Sequence, residues 1–266
     1  MTEAATSAEA TKPKPFSPPN WLRTWRRHFK GQPWGFVVFR TVFSGSNNGD
    51  DENWARLQKE VKRVVELPFA GDIARARKQG AVLPDDFEEA MLKFEVRWVD
   101  DVSADIKMVT ATSYEDSLRR KYAALRPSLE AGFDWEIFLC ASPEAVESFE
   151  KGAPTTNENS SYWRAEAPFL LAITAAADSG LEEDHDEAPW FKPVFKIAAE
   201  VLVESLFDVL NMGTPLERIT RLVTRATELD KGGEQEEMRT EGLDDIWWSM
   251  HPSPERMRRR RMIGST

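Results

Sequence analysis

The longest β-prone run in the chain, Trp34 to Phe43, is apolar at both odd and even positions apart from Arg40 and Thr41. A strand with one wet face alternates apolar and polar residues, so this pattern predicts a central strand covered on both sides. Upstream, Trp21, Leu22, Trp25 and Phe29 recur at helical spacing with Arg and Lys between them, and Pro33 ends that helix before the strand. Downstream, Ser44 to Gly49 reads as a turn, Asp50 or Asp51 as an N-cap, and Trp54, Leu57, Val61, Val64 and Val65 as one face of a helix over 51–67 that Pro68 closes. Residues 69–93 read as a helix-prone linker of mixed charge, with a turn or two opening at Pro84-Asp85-Asp86. Phe94, Val96 and Trp98 then alternate with Glu95 and Arg97, which predicts a strand with one wet face.

Ser113 and Asp116 form a capping-box pattern ahead of Leu118, Tyr122 and Leu125, predicting a helix over 114–126 that Pro127 terminates. Asp134 to Cys140 is a third strand, Ser142-Pro143 starts a helix that runs to Gly152, and Phe169 to Ala175 is a fourth strand. Between Phe191 and Leu210 the polar residues Lys192, Lys196, Glu200, Glu204 and Asp208 fall every fourth position, which predicts a largely covered helix. Thr214-Pro215-Leu216-Glu217 opens another, with Leu216, Ile219, Leu222, Val223, Ala226 and Leu229 on its inner side. The expected fold is α+β: a ferredoxin-like split βαβ sheet of about four strands, carrying an inserted helix and a C-terminal αα-hairpin. Its first and third strands are central, and its second and fourth are edges. The insertion is needed because about 35 residues, helix included, separate the second and third strands where a hairpin belongs.

The 266-residue chain suffices for one sizeable core, assigned to residues 21–230, with a disordered tail over 1–20 and a charged tail over 231–266. A net charge of −10 disfavours nucleic acid as a partner, since phosphate contacts need a basic footprint. The aromatic and basic stretch at 21–30 therefore reads as a helix docked on an acidic body rather than as an RNA or membrane patch. A single cysteine, Cys140, excludes an internal disulfide framework and favours a reducing compartment. No apolar run approaches a membrane span, and no secretion signal is legible, so cytosol or nucleus is expected.

Candidate chemistry is sparse. The loop before the 51–67 helix lacks a phosphate-binding glycine pattern, and Asp50, Asp51 and Glu52 would repel a phosphate there. The acidic run Glu182 to Glu187 reads as a solvated loop, because consecutive residues seldom converge on one ion. His28, His185 and His251 fall in terminal or loop segments, untied by spacing to Cys140, so no catalytic residue, metal site or cofactor is assigned. If Glu95 and Arg97 mark one sheet face, Glu136, Phe138 and Arg40 could join them as a ligand surface; the competing reading is cross-strand ion pairs at a rim. Trp247 and Trp248 read either as a partner-docking motif or as a cap on the core. The cluster Arg258, Arg259, Arg260 and Arg261 reads as a localisation signal or as a basic end folded back on the acidic body.

The segments Trp34 to Thr41, Asp50 to Trp54, Phe94 to Asp101, and Trp135 to Cys140 leading into Pro143 to Val146 resemble a large family of uncharacterised proteins from filamentous fungi. The resemblance spans about residues 34–210 and implies a fungal origin; it carries no activity or site residues. Together these readings favour a non-catalytic intracellular protein that binds a protein partner or a small molecule. The alternative is an accessory enzyme acting on a small organic substrate at the sheet face, for example in secondary metabolism.

Overall fold

The computed structural model describes residues 14–41, 49–100, 114–151, 155–156, 164, 166–182, 184–223 and 246–250. A six-stranded mixed sheet runs through them. Its strands are β1 (Trp34–Arg40), β2 (Phe94–Val99), β3 (Ile137–Ala141), β4 (Phe169–Thr174), β5 (Val194–Ala198) and β6 (Ile246–Trp247), in the spatial order 2-1-3-4-5-6. The expected central strand lies between two parallel neighbours, and all seven of its residues are buried. Continuous burial is what its unbroken apolar sequence demands.

The helices are α1 (Asn20–His28), α2 (Gly49–Val65), α3 (Leu67–Lys78), α4 (Phe87–Leu92), α5 (Tyr114–Leu125) and α6 (Pro143–Lys151), with the short α7 (Phe207–Asn211) and α8 (Leu216–Thr220). The chain steps outward from β1 to β2, then back past β1 to β3. The general rule that such crossovers are right-handed, applied in opposite directions, predicts helices on opposite faces. Accordingly Val61, Val64 and Val65 of α2 pack with Trp34, Phe36 and Val38, whereas Leu118 and Tyr122 of α5 pack with Val37 and Phe39. The α2 face is also covered by α1, α3, α4 and the helical segment after β5.

An aromatic cluster ties that cover to the start of β1. Trp34 lies 4.4 Å from Phe207, 4.9 Å from Phe94 and 5.8 Å from Trp21 between ring centroids. The two indole N–H groups do not go unpaired: Trp34 Nε1 donates to the Ala90 carbonyl at 2.8 Å, and Trp21 Nε1 to Asp72 at 2.9 Å. Burying each such side chain contributes about 2–3 kcal/mol. α1 thus docks its aromatic side, while its exposed edge sends Arg26 to Asp86 in a two-pronged ion pair.

The α+β class holds, but the sheet departs from the ferredoxin-like order. β1 and β3 are adjacent and parallel and β2 is an edge strand, as expected. β2, however, pairs in parallel with β1 and makes no ladder with β3, and β4 is interior because β5 and β6 follow it. The extra strand β5 comes from the stretch expected to be helical. Pro193 cannot sit inside a helix, and Val194, Phe195 and Ile197 favour a pleated, buried surface. Only after Ala198 does the chain coil, through a 3-10 turn (Ala199–Val201) and a π-helical turn (Leu202–Leu206) into α7. Of the second hairpin helix, α8 and the turn Arg221–Val223 are described; residues 224–245 lie outside.

The charged linker is largely α3 and α4, with Pro68 tolerated in the first turn of α3. At the two ends the body reaches beyond residues 21–230. Lys14–Pro15 pair with Ala81–Val82, Phe16 is buried, and β6 completes the sheet. Residues 1–13 and 251–266, the arginine cluster among them, lie outside the described residues.

Candidate functional site

β2, β1 and β3 are parallel, so their carboxyl ends share one edge of the sheet. The chain leaves β1 toward one face (α2) and β2 toward the other (α5). In open α/β sheets, such a divergence of neighbouring connections opens a crevice where ligands bind. Here the last residues of the strands bring polar groups to that place. Arg40, 9% exposed, lays its guanidinium carbon 4.6 Å from the centre of the Trp54 ring, and Trp54 meets Trp98 of β2 edge-on at 5.0 Å. On the α5 side, Thr41 Oγ1 donates to the Ala141 carbonyl at 2.9 Å and receives the Cys140 thiol at 3.6 Å.

Flanking this end of β1, the buried Trp54 Nε1 on one face has no acceptor among the described residues, and the Tyr114 hydroxyl on the other lies within reach of Thr41. Burial pushes both the Tyr114 phenol and the Cys140 thiol up to about 12, against the opposing hydrogen bond of Thr41, and the nearby Glu115 charge adds to both. Neither group ionises near neutrality. The groups gathered at this end of β1 are a guanidinium, an indole N–H, a phenol and a neutral thiol, the thiol already donating to Thr41. That set donates hydrogen bonds; it supplies neither a base nor an activated nucleophile.

A second cluster sits on the same edge farther along the sheet. β3 and β4 are antiparallel, as are β4 and β5, and β6 is parallel to β5, so β5 and β6 end where β1 ends. Just past β5, Glu200 has a side chain with no exposure. Its Oε1 accepts from Arg164 Nη2 at 2.6 Å, while Oε2 is buried with no partner among the described residues. Arg164 also reaches Thr155 Oγ1 at 3.2 Å and lies 5.6 Å over the Trp248 ring; Thr155 is held in turn through its carbonyl by Arg63 of α2 at 2.9 Å. Burial pushes the Glu200 carboxyl up to about 7, the Arg164 charge opposing only in part.

Four of the five ligand-surface residues expected from sequence do share the α5 face, where they form ion pairs and packing. Arg97 pairs with Glu130 at 2.7 Å and Glu95 at 3.5 Å and covers the Phe133 ring at 4.0 Å; Glu136 pairs with Arg126 at 3.3 Å. Phe138 is buried between Phe39 and Tyr122. Arg40 projects to the opposite face, in step with Trp34, Phe36 and Val38. Trp247 is 1% exposed in the core, with Trp248 packed against the same cluster.

Trp54, Trp98, Glu200 and Arg164 were not singled out by sequence. Trp54 reads as an ordinary inner-face helix residue, and Glu200 as one position of a polar stripe; the usable signal was a lone carboxylate among apolar residues five positions after Phe195. In the acidic run, Glu182, Asp184, His185 and Asp186 line an open surface depression. Among the described residues, no three His, Cys, Asp or Glu side chains gather as a metal site. No described helix is long and apolar enough to cross a membrane. Comparison with protein-family models, curated proteins and solved structures gives no match for this chain.

Proposed function

We propose that this is a non-catalytic intracellular protein that binds a small organic molecule at the carboxyl ends of β1 and β2. The observation that carries the reading is the Arg40, Trp54 and Trp98 stack, in which the buried Trp54 indole N–H has no acceptor among the described residues. Such groups suit a planar molecule bearing a carboxylate or carbonyl oxygen, held by cation, indole edge and hydroxyl together. Sealed sheet faces support the same location, since both faces are filled by the protein's own helices.

Titration of the purified protein with a panel of aromatic and aliphatic organic acids, followed by calorimetry and thermal shift, tests this. Binding should be weakened about five- to thirtyfold in Trp54→Phe, which keeps the ring but deletes the N–H donor, a loss of roughly 1–2 kcal/mol. No binder in the panel, or equal affinity in the variant, overturns the proposal.

The accessory-enzyme reading ranks second. It is favoured by one observation, a carboxyl poised near neutrality on the same edge. Turnover of any panel member that is lost in Glu200→Gln would reverse the order.

A further inference from the structure

Glu200 is buried, and the groups around it among the described residues can be named. Its own turn contributes Ala199 and Val201. α2, which packs on that turn, brings Val61, Val64 and Val65 to the common core; its nearby cation, Arg63, is turned to Glu60 and the Thr155 carbonyl. β5 carries Lys196, which pairs with Glu144 of α6 at 3.5 Å. Near Arg164, Glu166 is exposed, and residues 246–250 beside the cluster hold no charged side chain. Among the described residues, the charge that acts on the carboxyl is that of Arg164.

The two carboxyl oxygens are thus unequal. Oε1 is satisfied by Arg164, but a bare anionic Oε2 in the interior is costly. A proton on Oε2 removes that cost and leaves the Arg164 bond to Oε1 in place. Any opening that admits water to Oε2 favours the ionised form instead. The weakest part of the enclosure is β6, held to β5 by the two pairs Lys196 with Ile246 and Ile197 with Trp247, and followed at once by Trp248 under Arg164.

We propose that Glu200 is a proton-binding site controlling how firmly the C-terminal strand is seated: protonation of Oε2 closes the Arg164 and Trp248 cover, and ionisation loosens it. The direction follows from linkage. The closed form takes up its proton near pH 7 and the opened form near the ordinary 4.5, so closure is favoured as the pH falls through 7 toward 4.5. Between pH 5.5 and pH 8 the opening equilibrium of β6 should rise about thirtyfold.

Hydrogen exchange of the peptide carrying residues 246–250, read by mass spectrometry on the full chain and corrected for intrinsic rates, measures that equilibrium. The wild type should open about thirtyfold more at the higher pH, and Glu200→Gln, neutral and of the same shape, should show a flat profile. An unchanged slope in Glu200→Gln, or a flat wild type, overturns the proposal. Arg164→Gln gives a second reading should Glu200→Gln fail to fold: without the cation the midpoint should move to higher pH, and an unmoved midpoint overturns the assignment equally.

Discussion

Gly35 is the sharpest test of how β1 and β2 are joined. Its φ of +149° lies where L side chains are strained, and a Cβ built there would fall 1.8 Å from the Glu95 carbonyl oxygen and 2.9 Å from its carbon. That neighbour is backbone inside the β1 and β2 ladder, where Gly35 pairs with Glu95. It cannot swing aside as a side chain would. Gly35→Ala must then pay about 1–3 kcal/mol of backbone strain and, to clear the contact, part the two strands at that point. Parting disrupts ladder hydrogen bonds worth about 1 kcal/mol each and loosens the Trp34 and Phe94 packing beside them. A total above about 4 kcal/mol follows, a large share of the 5–15 kcal/mol typical of a domain.

Gly180→Ala is the control. Its φ of +65° also lies in the left-handed region, but nothing lies within 4 Å of the added carbon, so the loss should be about 1 kcal/mol. Urea denaturation of both variants, followed by circular dichroism, gives the comparison. Equal losses would refute the close approach of Glu95 and with it the register of β2 on β1.

Three further outcomes follow from the packing and the charges. Cys140 is buried with its thiol held up near 12, so an alkylating reagent should modify it at the rate of global unfolding; fast labelling of the folded protein would contradict its burial. Arg26 holds the Asp86 carboxyl below its usual range, so that ion pair contributes fully above pH 4 and is lost as the pH falls through the lowered value. Asp86→Asn should cost about 1 kcal/mol at pH 7 and progressively less as the pH falls through the lowered value, as read from denaturation midpoints. Trp34→Phe leaves the Ala90 carbonyl without its donor and a gap in the aromatic cluster, and should lower stability by about 2–4 kcal/mol in the same assay.

Much of the architecture was legible because burial writes itself into periodicity. β1 announced its place by having no polar face, β2 its edge position by alternation, and α5 and α6 their starts by capping residues. The stretch from Lys192 to Asp208 misled because a four-residue spacing of charges is satisfied equally by a helix and by a strand that turns into one; Pro193 was the discriminating residue. Sheet order was not legible, since parallel and antiparallel partners of an apolar strand look alike in sequence. The candidate sites were less visible still. Arg40 stands out in the sequence, but its face does not, because face assignment needs register. Trp54 and Glu200 acquire their chemistry only from what surrounds them: an indole without an acceptor and a carboxylate with one bare oxygen are facts of packing.

The placing of β6 has a consequence for synthesis. A ribosome delivers β1 through β5 long before Ile246 and Trp247 leave the exit tunnel, so the growing chain must pass through a state in which the outer rim of β5 lacks its partner and the Trp247 niche is vacant. Unpaired rims of that kind invite pairing between neighbouring nascent chains. A message cut short ahead of codon 246 would fix the polypeptide in that sticky form.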